Sequence, residues 1–309
     1  MRAARRGTAI PLAVLTILAS LAGCARTGTG TGGPGGVLDG GGVAAPRPGD
    51  SGSPEAALAA WSTFPVDRRP RPIVLIGSSL VQYAGYTTGE AKIAAMSGSY
   101  RLAVTPPPDP QPTPVDLPGG RATLPVIGAA AAIDRMKVDA GDKPDSSVPP
   151  LAIVSFELGT APIDTDRGTL TLPVWRVHTA DELGPTTVLA VADSALAQRS
   201  GSTTSVPRLG NSAKMSTDGR HLTLTVRESV PHCPGEPIYE TTASVRESAT
   251  AVAVVFTRTQ VSAIPADPNA ACAAYIQLQP VTYRVDLAAP LGNRVLVDTD
   301  GDPLPVTTG

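Results

Sequence analysis

From His221 onward the apolar positions fall into short alternating runs. Leu222, Leu224 and Val226 alternate in HLTLTV; Tyr239, Thr241, Ala243 and Val245 in YETTASV; Val281, Tyr283, Val285 and Leu287 in VTYRVDL. A period of two predicts half-buried strands, because successive side chains point to opposite faces of a sheet. Between these runs AVAVVF, 251–256, is apolar at every position. It therefore predicts a central strand covered on both faces. With RVLV at 294–297, residues 212–309 predict five or six strands and no helix longer than the AACAAY turn at 270–275. That is the pattern of a small sandwich or barrel.

Upstream the pattern mixes helical and strand periods. Ser53-Pro54-Glu55 supplies a capping hydroxyl, a proline at the first helical position and an early acid, predicting a helix through AALAAW. IVLIG at 73–77 predicts a buried strand, TTGEAKIAAM at 87–96 a helix, and Tyr100 to Val104 a strand. Pro106 to Pro114, PPPDPQPTP, predicts an exposed extended loop, since successive prolines fix φ and remove donors. In LPVIGAAAAIDRMKV, 124–138, Val126, Ala129, Ala130, Ile133 and Met136 trace one helical face. Three strands are then expected at 151–158, 169–177 and 186–191. The fold class expected is mainly β, with an α+β unit at 54–196, a Ser/Thr/Gly-rich boundary from Ala197 to Ser212, and an all-β unit at 212–309.

The first residues, MRAARRGTAIPLAVLTILASLAGC, place Arg2, Arg5 and Arg6 before an apolar run from Ala9 to Leu21. This order predicts a secretory signal at 1–23; the run is shorter than the roughly 20 residues that span a bilayer. Leu21-Ala22-Gly23-Cys24 resembles the lipobox of bacterial lipoproteins. The resemblance implies cleavage before Cys24, diacylation of its sulfur, and an anchor at the extracytoplasmic face of the cell membrane. Two acyl chains make a stable anchor where one is marginal. Residues 24–53 hold almost nothing large to bury, so a disordered Gly-rich tether is expected, with a reach on the order of 30 Å.

Composition narrows the partners. The net charge is -2, and losing three leader arginines makes the remainder more acidic, leaving no basic patch for nucleic acid. The 32 prolines and 31 glycines imply many turns and short elements. Of three cysteines, Cys24 is assigned to lipid, which leaves Cys233 and Cys272 for one disulfide in an oxidising compartment. Closing that loop would stabilise the fold by about 4 kcal/mol on the chain-entropy model.

Candidate chemistry is sparse. Ser79 follows a strand-like run and Gly77, and Asp218-Gly219-Arg220-His221 has Asp-x-x-His spacing. Together they resemble the SGNH (GDSL) hydrolases, a resemblance implying that Ser79 attacks an ester, His221 takes its proton and Asp218 orients the imidazole. The chain departs from that family where its Asp is Ser78 here, and no Gly-x-Asn-Asp block supplies oxyanion donors. Asp-Gly before LTLTV also fits a hairpin turn.

Asp298, Asp300 and Asp302 alternate like the start of a calcium loop, but Pro303 and Gly309 stand where an EF-hand needs glycine and glutamate. A tight turn is the simpler expectation. The histidines, His178, His221 and His232, form no ligand spacing with the cysteines. Trp175 is expected to fill a core. No P-loop, dinucleotide fingerprint or paired-carboxylate motif is present, so no cofactor is expected.

The ending VTYRVDLAAPLGNRVLVDTDGDPLPV, with the two cysteines before it, resembles the C-terminal part of poorly characterised secreted lipoproteins of GC-rich Gram-positive bacteria. The resemblance implies location and fold. The expected function is a lipid-anchored envelope protein acting as a non-catalytic binding or interaction module, with envelope proteins or glycans as partners. The alternative is a serine esterase using Ser79, His221 and Asp218.

Overall fold

In a computed structural model of the chain, residues 52–77, 80–141, 143–197, 211–231, 233–266 and 278–309 are described. All belong to one compact unit. The chain is mainly β. Its elements run α1 (Pro54–Ala60), β1 (Ile73–Val74), β2 (Val81–Gln82), α2 (Gly89–Met96), β3 (Tyr100–Leu102), β4 (Thr113–Leu117), β5 (Gly120–Leu124), α3 (Ala129–Asp139), β6 (Leu151–Thr165), β7 (Gly168–Thr179), β8 (Thr186–Leu189) and β9 (Leu196–Ala197). Then come β10 (Ser212–Met215), β11 (His221–Ser229), β12 (Pro237–Glu247), β13 (Ala251–Ala263), β14 (Leu278–Asp286), β15 (Val295–Val297) and β16 (Val306–Thr308). The signal peptide, Cys24 and nearly all the expected tether lie outside the described residues, as do most of the Ala197–Ser212 boundary and the AACAAY turn. Among the described residues, no helix is long and apolar enough to cross a membrane.

The first half is built on a five-stranded sheet in the order β2-β8-β7-β6-β3. Strand β7 is apolar on both faces, and the structure gives each face a cover. Trp175 and Val177 pack with Ala132, Ile133 and Met136 of α3. Leu172 and Val174 pack on the opposite side with Ile73, Leu124 and Leu196, contributed by the β4–β5 hairpin and the parallel pair β1 and β9. Ser53 and Thr88 cap α1 and α2, their hydroxyls accepting from Ala56 N and Ala91 N at 3.1 Å each. Helix α3 starts five residues later than its periodicity predicts. Leu124 ends β5, and Pro125 and the Gly128 cap hold the chain extended before Ala129.

The second half is the expected sandwich. A four-stranded sheet, β14-β11-β10-β16, faces a three-stranded sheet, β12-β13-β15. Leu222 and Leu224 meet Val252, Val254, Val285 and Leu296 between them. The alternate residues of the central strand, Ala251 and Ala253, point outward and are covered by Ala57, Trp61 and Phe64 of the α1 region. AVAVVF is therefore apolar throughout because α1 buries its second face.

The two halves share buried surface beyond that helix. The tip of the β6–β7 hairpin, Thr165 to Gly168, carries Asp166 and Arg167 against the loop after β14. Arg71 holds the Asp166 carboxylate with both terminal nitrogens, at 3.1 Å for the Nη1 to Oδ1 arm, and donates from Nε to Asn293 O at 2.9 Å. Its guanidinium lies 4.9 Å from the centroid of the Phe64 ring. Arg167 donates to the carbonyls of Gly292 and Arg294 at 2.9 and 2.6 Å. Backbone bonds from Asp166 N to Val74 O and from Val306 N to Asp166 O complete the joint. Burial pulls the Arg167 guanidinium down to about 10, against the pull of Asp166, so it stays charged at neutral pH.

Candidate functional site

The Asp218-x-x-His221 motif lies on the hairpin joining β10 to β11. Asp218 Oδ1 accepts from Ser216 Oγ and from Arg220 N at 3.0 Å, while Gly219 takes a φ of 70° that closes the turn. The spacing does bring the two side chains together: His221 Nε2 is 3.3 Å from Asp218 Oδ2. Its other nitrogen, Nδ1, is 2.7 Å from Asp286 Oδ1, on the residue paired with His221 across β14. Asp286 is invisible to motif reading, because only the strand register places it there.

Both ring nitrogens thus face carboxylates. The hydrogen bond to Asp286 first, and then the charge of Asp218, raise the His221 imidazole above its ordinary value of 6.5. In its protonated form the imidazole presents one N–H to each of these carboxylates. The pair is also exposed on the sandwich surface. Ser79 lies outside the described residues; its neighbour Leu80 packs into the cores of the five-stranded sheet.

A titration checks this arrangement. Since the folded value is raised, the contribution of His221 to stability is present below about 6.5 and is lost as pH rises through the folded value. Imidazole NMR shifts should give a midpoint above 6.5, with Asp286→Asn moving it back down. A midpoint at or below 6.5 in the unsubstituted protein would refute the carboxylate clamp.

The Asp298 to Pro303 segment is the expected tight turn. Asp298 Oδ1 accepts from the backbone N–H groups of Asp300 and Asp302, both at 2.9 Å, and Asp298 N donates to Asp302 O at 2.9 Å. Trp61 Nε1 donates to Gly301 O at 2.9 Å, tying the turn to α1. Burial, followed by the nearby Asp302 and Asp300 charges, pushes the Asp298 carboxyl above its ordinary value. Among the described residues no group of three or more His, Cys, Asp or Glu is placed to hold a metal.

Cys233 is a disulfide-bonded residue in the turn before β12; Cys272, the expected partner, lies outside the described residues, as does His232. His178 sits at the end of β7 with Nδ1 2.8 Å from Glu182 Oε1. Trp175 is 3% exposed, donates from Nε1 to Ile127 O at 2.9 Å and meets Phe156 edge-on. It is a core residue.

The arrangement best suited to binding is at the end of the sandwich away from the β12–β13 turn. There the inward positions that continue the apolar ladder become aromatic and polar. Beyond Val226 on β11 comes Glu228, and beyond Phe256 on β13 comes Arg258. Tyr283 donates to Glu228 Oε1 at 2.6 Å, and Thr241 to Glu228 Oε2 at 3.4 Å. Phe256 stacks edge-on against Tyr283, and the Arg258 guanidinium lies 4.3 Å from the centroid of the Tyr239 ring. A cavity of about 70 Å³, walled by Val226, Val254 and Phe256 and rimmed by Asn211, Ser212 and Asp298, opens beside this layer.

Alternation marked Tyr239 and Thr241 on β12 and Tyr283 on β14 as sharing a face with the apolar residues of their own strands. It missed Glu228 and Arg258, because the apolar runs end at Val226 and Phe256 while the strands continue. Comparison of the chain with protein-family models, with curated proteins and with solved structures gave no match.

Proposed function

We propose that this is a lipid-anchored cell-envelope protein, held through Cys24 at the extracytoplasmic face of the cell membrane, whose folded body is a non-catalytic binding module. The observation that supports binding is the change of the sandwich interior from aliphatic to aromatic and charged at the end away from the β12–β13 turn. Half-exposed rings, a hydrogen-bonded carboxylate and a guanidinium are the mixture of apolar surface and directed polar groups that recognition sites use. Envelope glycans fit this chemistry, since sugar rings present apolar faces to aromatics and hydroxyls to carboxylates and guanidinium groups. Against catalysis by His221 stands its geometry, with both ring nitrogens facing carboxylates.

The test uses the secreted chain carrying Cys24→Ala, incubated with insoluble cell-wall glycan and separately with a fluorophosphonate probe for activated serines. Co-sedimentation is expected, weakened at least about tenfold by Tyr239→Ala with Arg258→Ala, a loss equivalent to about 1.4 kcal/mol. No serine labelling is expected. Labelling that Ser79→Ala abolishes would make the protein an esterase, and failure to co-sediment would remove the glycan reading.

A further inference from the structure

The three-stranded sheet ends in β12, which pairs with β13 along its whole length. Among the described residues no strand lies on its other edge. An unpaired edge of this length is a template for another strand, and natural proteins blunt such edges with prolines, bulges and like charges. Here the blunting is local. Pro237 and the irregularity between Ile238 and Tyr239 disturb only the first residues. From Glu240 to Glu247 the register with β13 is unbroken.

The outward side chains along this stretch are Glu240, Thr242, Ser244 and Arg246, all exposed. Neither Glu240 nor Arg246 forms an ion pair among the described residues; Arg246 reaches only the Val245 carbonyl, at 3.3 Å. Opposite charges six positions apart on one face have a geometrical meaning for an antiparallel partner. A two-fold axis through Ala243 places Glu240 opposite Arg246 of a second copy and Arg246 opposite its Glu240. The same axis sets Thr242 against Ser244 in both directions. Every exposed cross-strand pair is then favourable, either opposite charges or two hydroxyls. Like charges would repel a second copy; these attract it.

We propose that β12 is a self-complementary edge, through which two copies of the chain join antiparallel about Ala243 into one continuous six-stranded sheet. The interface is isologous, with the same patch used by both copies. It places the aromatic ends of the two sandwiches on one assembly. Co-anchoring in a membrane would favour it further, because tethered copies meet at a high effective concentration. The proposal does not depend on what the aromatic end of the sandwich binds.

Charge reversal tests it, using the secreted chain with Cys24→Ala so that no acyl group brings molecules together. Sedimentation velocity should show a reversible dimer of the unsubstituted β12 edge by concentrations on the order of 100 μM. Glu240→Arg alone and Arg246→Glu alone should each weaken the dimer at least about tenfold, since each sets like charges face to face twice. Mixing the two single variants should restore a heterodimer, because all four charges then oppose correctly. Matching circular dichroism spectra would show that the exposed substitutions leave the fold intact. A protein that stays monomeric at that concentration, single variants that dimerise normally, or a mixture that fails to recover would each overturn the proposal.

Discussion

Asp166→Ala is expected to cost about 3–5 kcal/mol in denaturant unfolding at pH 7, among the largest losses available to a single substitution outside the apolar cores. The Asp166 side chain is 1% exposed, and two guanidinium groups, Arg71 and Arg167, lie beside it. Removing the carboxylate leaves both cations buried without their counter-charge. The loss is not confined to one pair of atoms, because Arg71 also spans from Phe64 to the carbonyl of Asn293. A second variant separates charge from shape. Adding Arg71→Met to Asp166→Ala should recover part of the loss, since one stranded cation disappears while much of its packing remains. A loss under about 1 kcal/mol for Asp166→Ala would mean that the joint is held by its backbone bonds alone.

Trp175→Ala is expected to cost a similar amount, about 3–5 kcal/mol, from the cavity left under α3. The ring lies among Ile133, Met136 and Val177 and meets Phe156 at 6.4 Å between centroids. Trp175→Phe keeps most of the apolar area but leaves the Ile127 carbonyl without its indole donor, for which about 1–3 kcal/mol is expected. The order Ala worse than Phe, read from urea unfolding followed by circular dichroism, distinguishes a core tryptophan from a surface anchor. An anchor would lose binding and keep its stability.

The strands of the sandwich were legible because alternation is a local property. His221 to Val226, Tyr239 to Val245 and Val281 to Val285 each announce which residues face inward, and the register joins them as that alternation requires. The cap of α1 was equally local. The β4–β5 hairpin was not read, because the proline-rich run masks its first strand, although Leu117-Pro118-Gly119-Gly120 is a turn signal in plain view. Strand β1 is announced by the apolar run IVLIG, but its partner β9 carries no pattern of its own. Each is two residues long and exists only because its partner more than a hundred positions away supplies the hydrogen bonds.

The candidate site divides the same way. Asp218 and His221 are close because four residues of hairpin turn bring them close. Asp286, whose hydrogen bond helps raise that histidine's pKa, arrives by strand pairing across 65 positions. Asp166 and Arg167 in Thr-Asp-Arg-Gly look like any solvated turn, and burial in the joint makes them structural. Glu228 and Arg258 look like polar strand ends and become part of an aromatic layer.

By itself the sequence determined what depends on neighbours within one turn or one strand: the period of the longer β segments, the cap of α1 and the Asp-Gly turns. Tertiary structure alone decided which polar groups lose their water, because burial and charge pairing depend on surfaces brought together from distant parts of the chain. The same holds for the free edge of β12. Its self-complementary charges can be found in the sequence, but only the sheet order shows that no described strand already lies against them.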